Sequence, residues 1–178
     1  MKRRNFIAAI AGIGAIPLVG KAQMICRPNI LLDGGFESRV LPAGGYEYTP
    51  TGMPWTFTGG AGIQRNGSAW GAEDAPEGSQ SAFIQGGAAS TISQQVYLDA
   101  GGVSINYWMA TREYGGPNPV YVYFDGALIY YAVPPEEEWY PFYTPHDVLA
   151  AGMHTLTFKG SNGNGDNTTF LDAVSITR

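Results

Sequence analysis

Six side chains between positions 106 and 125 have the types needed to hold a polar ring: Asn106, Trp108, Arg112, Tyr121, Tyr123 and Asp125. A sugar presents C–H patches to aromatic faces and hydroxyls to planar amide, carboxylate or guanidinium groups, so this mixture suits a saccharide. Trp108, Tyr121 and Tyr123 would be the stacking surfaces, with Arg112, Asn106 and Asp125 as hydroxyl partners. One such ring covering about 100 Å² of apolar surface contributes roughly 2.5 kcal/mol. Two of them, after association costs, leave affinities from about millimolar to tens of micromolar.

The segments that must present these residues show period-2 alternation. In VSINYWMATR, Val103, Ile105, Tyr107 and Met109 take one face, while Ser104, Asn106, Trp108, Ala110 and Arg112 take the other. In VYVYFDGALIYYAV, Val120, Val122 and Phe124 alternate with Tyr121, Tyr123 and Asp125, and Asp125-Gly126 is a two-residue hairpin signal. The expectation is one flat sheet face carrying all the aromatics, open to water unless the long loop 134–147 covers it. Trp55, Trp70, Trp139 and Tyr143 have no predicted place in it.

Twenty-five glycines, 12 prolines and only 14% charged residues fit many short strands joined by tight turns, and no segment has helical period. Strands are predicted over 30–33, 54–58, 81–85, 91–98, 103–112, 120–124, 127–133, 153–159 and 168–177. About nine strands without helices imply an all-β sandwich of two packed sheets.

The first 22 residues, MKRRNFIAAIAGIGAIPLVGKA, join a basic start to a short apolar run and end on small residues, which reads as a cleaved signal peptide. Arg3-Arg4-Asn5-Phe6-Ile7 has the twin-arginine pattern, and Lys21 before the cleavage point fits that route. A short linker, 23–29, would precede a single domain over 30–178, secreted or periplasmic, with no membrane anchor after cleavage. Cys26 is the only cysteine, so no intramolecular disulfide can form, and it reads as a bystander thiol. A formal charge of −5 with no basic stripe in the mature chain argues against nucleic acid as a partner. A neutral glycan fits better.

Taken in order, DGGFES at 33–38, PWTFTGGAGIQRNGS at 54–68, APEGSQSAFIQG at 75–86, ISQQVYL at 92–98, the strand ending in Arg112, AAGMHTLTFKG at 150–160 and GDNTTFLDAVSI at 165–176 resemble a known set. They resemble the bacterial exported galactose-binding-like jelly-roll domains related to the DUF642 and carbohydrate-binding-module families. The resemblance implies a jelly roll, binding of a polysaccharide or glycoconjugate, and a structural Ca²⁺ joining the first and last strands.

In FLDAVSI, Asp172 shares its predicted face with Phe170, Val174 and Ile176, which would bury a carboxylate. An unpaired buried charge costs several kcal/mol, so it requires a metal, an arginine or backbone N–H groups. If a metal, hard-oxygen calcium is the fit, with Glu37 and Asp33 completing the shell as the resemblance implies. The loop from Asn162 to Asn167 begins like an EF-hand but has Asn167 where Gly is required and Ala173 where the bidentate Glu should stand, so it reads as a Gly-rich hairpin connection.

Nothing in the chain marks catalysis. Glu47, Glu73, Asp74, Glu113 and Glu136 show no spacing that singles out a glycosidase pair. His154 alternates with Leu156 and Phe158, as a core or cross-strand partner would, and no nucleophile, zinc or phosphate motif occurs. The expected function is a non-catalytic carbohydrate-binding module. The alternatives are a secreted structural or protein-interaction module and, further off, a small glycan-active enzyme.

Overall fold

The computed structural model describes residues 29–86, 90–113, 115–116, 118–135, 137–161 and 167–178. The leader, Cys26, Glu136 and the loop residues 162–166 lie outside the described residues. Eleven strands form: β1 (Tyr46–Tyr48), β2 (Thr56–Thr58), β3 (Ala61–Arg65), β4 (Gln80–Gln85), β5 (Thr91–Leu98), β6 (Gly101–Thr111), β7 (Val120–Phe124), β8 (Ala127–Ala132), β9 (Tyr140–Val148), β10 (Gly152–Gly160) and β11 (Thr168–Thr177). They build a six-stranded sheet, β1-β3-β4-β11-β6-β9, and a five-stranded sheet, β2-β5-β10-β7-β8. From β4 onward the chain changes sheet at every connection except the β7–β8 hairpin, giving the interleaved quartets β4-β11-β6-β9 and β5-β10-β7-β8 of a jelly roll.

The alternation read from sequence places the core. Val103, Ile105, Tyr107 and Met109 of β6 face Val120, Val122 and Phe124 of β7, with Ile92, Leu156 and Phe158 between, all buried. Three strands are additional to the sequence reading. β1 and β3 are short and rich in turn residues, and β9 lies inside the predicted loop 134–147 because Pro141 and Pro145 disguise it. Both prolines are tolerated because β9 is a sheet edge.

The predicted strand 30–33 is instead a bent segment tied to β11. Ile30 N–H donates to the Ile176 carbonyl at 3.2 Å, and Asn29 bridges the Val174 carbonyl and the Ile176 N–H at 2.9 and 3.0 Å. Phe36 then enters the core 5.3 Å from the Trp55 ring. The approach to β11 is close enough that a Cβ on Gly34 would sit 2.0 Å from the Val174 carbonyl oxygen.

β11 departs from simple alternation. Ala173 takes φ 48°, and the register with β6 shifts between Asp172 and Ser175, a β-bulge. Leu171, Val174 and Ile176 therefore join the main core, whereas Phe170 joins a second cluster with Trp70, Phe83 and Ala110. The single shared face expected for Phe170, Asp172, Val174 and Ile176 does not exist, because the bulge rotates the strand between them.

The β7–β8 hairpin turns through Asp125 and Gly126, both at positive φ, as a type I′ turn requires. Asp125 clamps it to β10: Oδ1 accepts the Thr155 N–H at 2.8 Å, and Oδ2 accepts from His154 Nδ1 at 2.7 Å. His154 Nε2 faces the Ala150 carbonyl at 2.9 Å, so both ring nitrogens meet acceptors and the geometry selects the doubly protonated ring. The hydrogen bond to Asp125 accordingly raises the His154 pKa above its ordinary 6.5.

Two outcomes are expected. Gly34→Ala lowers unfolding free energy by about 1–3 kcal/mol in urea titration, because backbone must move to admit the methyl. The His154 contribution is fully present below pH 6.5 and fades as pH rises through the raised folded value. Between pH 5.5 and 8.5 the wild type should therefore lose up to about 1 kcal/mol more unfolding free energy in urea titration than Asp125→Asn, the scale of a partly exposed pair, while the loss from ionising Asp172 is common to both. Equal losses in the two proteins would remove the His154 contribution.

Candidate functional site

The six residues expected on one platform lie on two sheets. Asn106, Trp108 and Arg112 come from β6 and its end, in the six-stranded sheet; Tyr121 and Tyr123 come from β7, in the five-stranded sheet. Both sets point away from the core, so they occupy opposite outer faces of the sandwich. The single platform does not form because the connection 112–119 carries the chain from one sheet to the other.

Two of the six are committed elsewhere. Arg112 lies 4.6 Å over the Trp70 ring and donates from Nε to the Trp70 carbonyl at 3.2 Å, anchoring the loop that follows β3. Both carboxylate oxygens of Asp125 are engaged by the hairpin clamp. Asn106 approaches the Ser104 carbonyl and Thr177 Oγ1 at 3.4 and 3.5 Å. Trp108 is 37% exposed, in register between Pro141 and Asp172.

Much of the six-stranded sheet's outer face is covered. Trp70 stacks on Phe83 at 4.4 Å, and Phe170, Ala110 and Trp139 pack around them. Tyr46 and Tyr48 close the far side, with ring centroids 6.1 and 5.9 Å from Trp70.

Among the described residues no such cluster covers the outer face of the five-stranded sheet. Its register sets two rows across the strands: Thr58–Thr91–Lys159–Tyr121–Tyr131, and Thr56–Ser93–Thr157–Tyr123–Leu128. Beyond them lie Gln95 beside Thr155 and Tyr97 beside Met153. Tyr121 and Tyr131 have ring centroids 5.1 Å apart, and Tyr131 is 50% exposed. At about 4.8 Å between strands, a row spans about 19 Å. The face thus sets a hydroxyl-rich floor beside a tyrosine wall, a surface able to stack a ring and hydrogen-bond its substituents. Sequence reasoning missed Tyr131, Ser93, Thr157 and Lys159. The signal was present in TISQQVYL and HTLTFKG, where Ser, Gln, Thr and Lys alternate with the core residues.

The three expected metal ligands separate in role. Asp33 caps its own turn: Oδ1 accepts the Glu37 and Ser38 N–H groups at 2.7 and 2.9 Å, and Oδ2 accepts from Ser38 Oγ at 2.6 Å. Glu37 Oε1 accepts the N–H groups of Ser79 and Gln80, each at 2.6 Å. Asp172 is fully buried; its Oδ2 accepts the Glu77 N–H at 2.8 Å, and Oδ1 meets no well-formed hydrogen bond. Burial pushes its pKa up to about 8 against the opposing pull of the Glu77 and Ala173 N–H groups, with the charges of Glu77 and Glu37 adding to the rise. Among the described residues no three His, Cys, Asp or Glu side chains are grouped to hold a metal. Asp33 does not fit a metal shell; the orphaned Asp172 Oδ1 does.

No protein-family model matches the chain, and no curated protein matches it. Solved structures do. A family 61 carbohydrate-binding module in complex with β-1,4-galactotriose superposes with TM-score 0.61 at 19% identity, covering 85% of this chain and 99% of that one. The xylan-binding CBM22-1 domain from Paenibacillus barcinonensis Xyn10C gives 0.53 at 19% identity over 83% and 93%. A family 35 module from Clostridium thermocellum gives 0.52 at 12% identity over 68% and 90%. At these identities the likeness shows the fold: an all-β jelly-roll sandwich of the kind used by carbohydrate-binding modules.

Proposed function

We propose that the chain is an exported, non-catalytic carbohydrate-binding module that holds a polysaccharide or glycoconjugate across the outer face of its five-stranded sheet. One observation carries the reading: the tyrosine wall of Tyr121, Tyr123 and Tyr131 standing beside a floor of Thr58, Thr91, Ser93 and Thr157. Aromatic faces take the C–H side of a sugar, and the hydroxyls exchange hydrogen bonds with its rim. The fold shared with galactan- and xylan-binding modules supports it. No carboxylate stands among the outward residues of this sheet, so the acid pair of glycoside hydrolysis has no place there. Export by the twin-arginine route, indicated by Arg3 and Arg4, would place the module where polysaccharides are met.

An observation that favours a protein partner instead is the edge strand β8, where Leu128, Tyr130 and Tyr131 are exposed without a charge or proline to blunt the edge. Sedimentation at several concentrations separates the two readings: the glycan reading expects a monomer at all of them.

We also propose that Asp172 is the anchor of a structural Ca²⁺, with Glu37 and Glu77 as the acids closest in charge to it. An ion there would satisfy Oδ1 and hold the ionised carboxylate at neutral pH.

Tyr121→Ala should weaken retention in polysaccharide affinity gels by roughly 70-fold, matching the loss of one stacking face of about 2.5 kcal/mol, with thermal stability little changed. Retention unaltered by this change would remove the site. Calcium at about a hundredfold excess over its Kd should raise the Tm of the chelator-stripped protein by roughly 5–10 °C and leave Asp172→Asn unmoved. An unshifted wild type would remove the ion.

A further inference from the structure

We propose that the glycan held on this face is carboxylated, and that Lys159 is the counter-charge that selects it. The inference rests on the five-stranded face being the binding surface and goes on to name the class of ligand. The chain carries 15 acidic against 10 basic residues, a formal charge of −5. Yet the outward positions of β2, β5, β10, β7 and β8 are Thr, Ser, Gln, Tyr, Met and Leu, with no Asp or Glu among them. Among the described strand residues of this face, the single ionised side chain is Lys159.

Its position is central. β10 is the middle strand of the sheet, and Lys159 pairs Thr91 on one side and Tyr121 on the other. Its ammonium makes no ion pair with a described residue, whereas Arg39, His154 and Arg178 all do. Asp125, bonded at Thr155 four residues or about 13 Å along the strand, is already engaged by His154. A half-buried lysine with no ion-pair partner among the described residues, on strands that carry no outward acid in an acidic protein, is arranged to receive an anion from outside.

The geometry favours a sugar carboxylate. Tyr121 and Lys159 are cross-strand partners, so their backbones lie one strand spacing, about 4.8 Å, apart and their side chains rise from the same face. A carboxylate bonded directly to a ring carbon lies near the plane of that ring and is carried towards the ammonium, while neighbouring hydroxyls meet Thr91 and Thr157. Lysine supplies three donors around a point charge, which suits one carboxylate per sugar. The pair is charge-assisted and partly shielded by the tyrosines, so it should give about tenfold preference for the acid polymer over its neutral counterpart. The preference should shrink as salt is raised, since the Debye length falls from about 10 Å at 0.1 M to about 3 Å at 1 M.

The test uses uronic-acid polymers, each paired with the same polymer after its carboxyl groups are reduced to alcohols, so that backbone and linkage are constant. Affinity electrophoresis of the mature protein, Lys159→Gln and Tyr121→Ala should show the wild type retained about tenfold more strongly by at least one acid polymer than by its reduced form. Lys159→Gln should lose that difference while keeping the weaker retention by the reduced polymer, and Tyr121→Ala should lose both. Equal wild-type retention by parent and reduced polymers, unchanged in Lys159→Gln, overturns the carboxylate inference and leaves glycan binding standing. Retention by neither kind of polymer, nor by any neutral polysaccharide run beside them, overturns both. Preference for a sulfated glycan over every uronic-acid polymer also overturns the assignment of a carboxylate.

Discussion

The stack of Trp70 on Phe83, held by Arg112 from above, decides which side of the sandwich is left to water. Two sheets packed face to face always leave two outer faces, and alternation alone makes them equivalent. Here one is dressed. The loop after β3 lays Trp70 over the six-stranded sheet, and Phe170 and Trp139 extend the covering. An indole stacked on an aromatic ring and capped by a guanidinium contributes packing and cation–π attraction together. Arg112, which a reading from composition assigns to a ligand, is thereby an internal fastener. The Thr-, Ser- and Tyr-bearing face of the other sheet carries no such covering among the described residues, while Tyr46, Tyr48, Trp108 and Tyr143 keep exposed area on the six-stranded sheet.

The same loop ends in a second fastening. Its Glu77 N–H reaches Asp172, its Ser79 N–H and that of Gln80 hold Glu37, and Glu37 belongs to the segment that Asn29 and Gly34 bind to β11. The N-terminal segment, the covering loop and the last strand are one connected unit. Its weak point is Asp172, a carboxyl with one oxygen served by the Glu77 N–H and the other without a well-formed hydrogen bond among the described residues. A buried acid in that position either keeps its proton or gains a cation, because the charges of Glu77 and Glu37 add to the cost of leaving it ionised and bare.

Where alternation is unbroken, the sequence predicts structure well: 91–98, 103–111, 120–124 and 153–159 are strands with the expected buried faces. The Asp125-Gly126 turn and the cross-strand role of His154 were legible for the same reason, since local backbone chemistry decides them. Three features were not. Pro141 and Pro145 hid β9, because a proline is compatible with a strand only when that strand is an edge, which is a property of the whole sheet. The bulge at Ala173 reversed the faces on either side of it, and a period-2 count cannot register one extra residue. The platform was split because adjacent strands in sequence, β6 and β7, belong to different sheets in a jelly roll. Of the six residues read from the sequence, Tyr121 and Tyr123 stay together on one outer face after that split. Their neighbours there come from 91–97 and 155–159, and only the sheet register sets those polar positions beside the tyrosines.

The central claim is that ligand is met on the five-stranded sheet. Backbone amide shifts mapped by NMR while glycan fragments are titrated in test it most directly. The account predicts the largest changes at Thr91, Ser93, Tyr121, Tyr131, Thr157 and Lys159, on four strands adjacent in the sheet and not in the sequence. Changes concentrated instead at Tyr46, Tyr48 and Trp70, or at Trp108 and Tyr143, would place the ligand on the opposite face and contradict it.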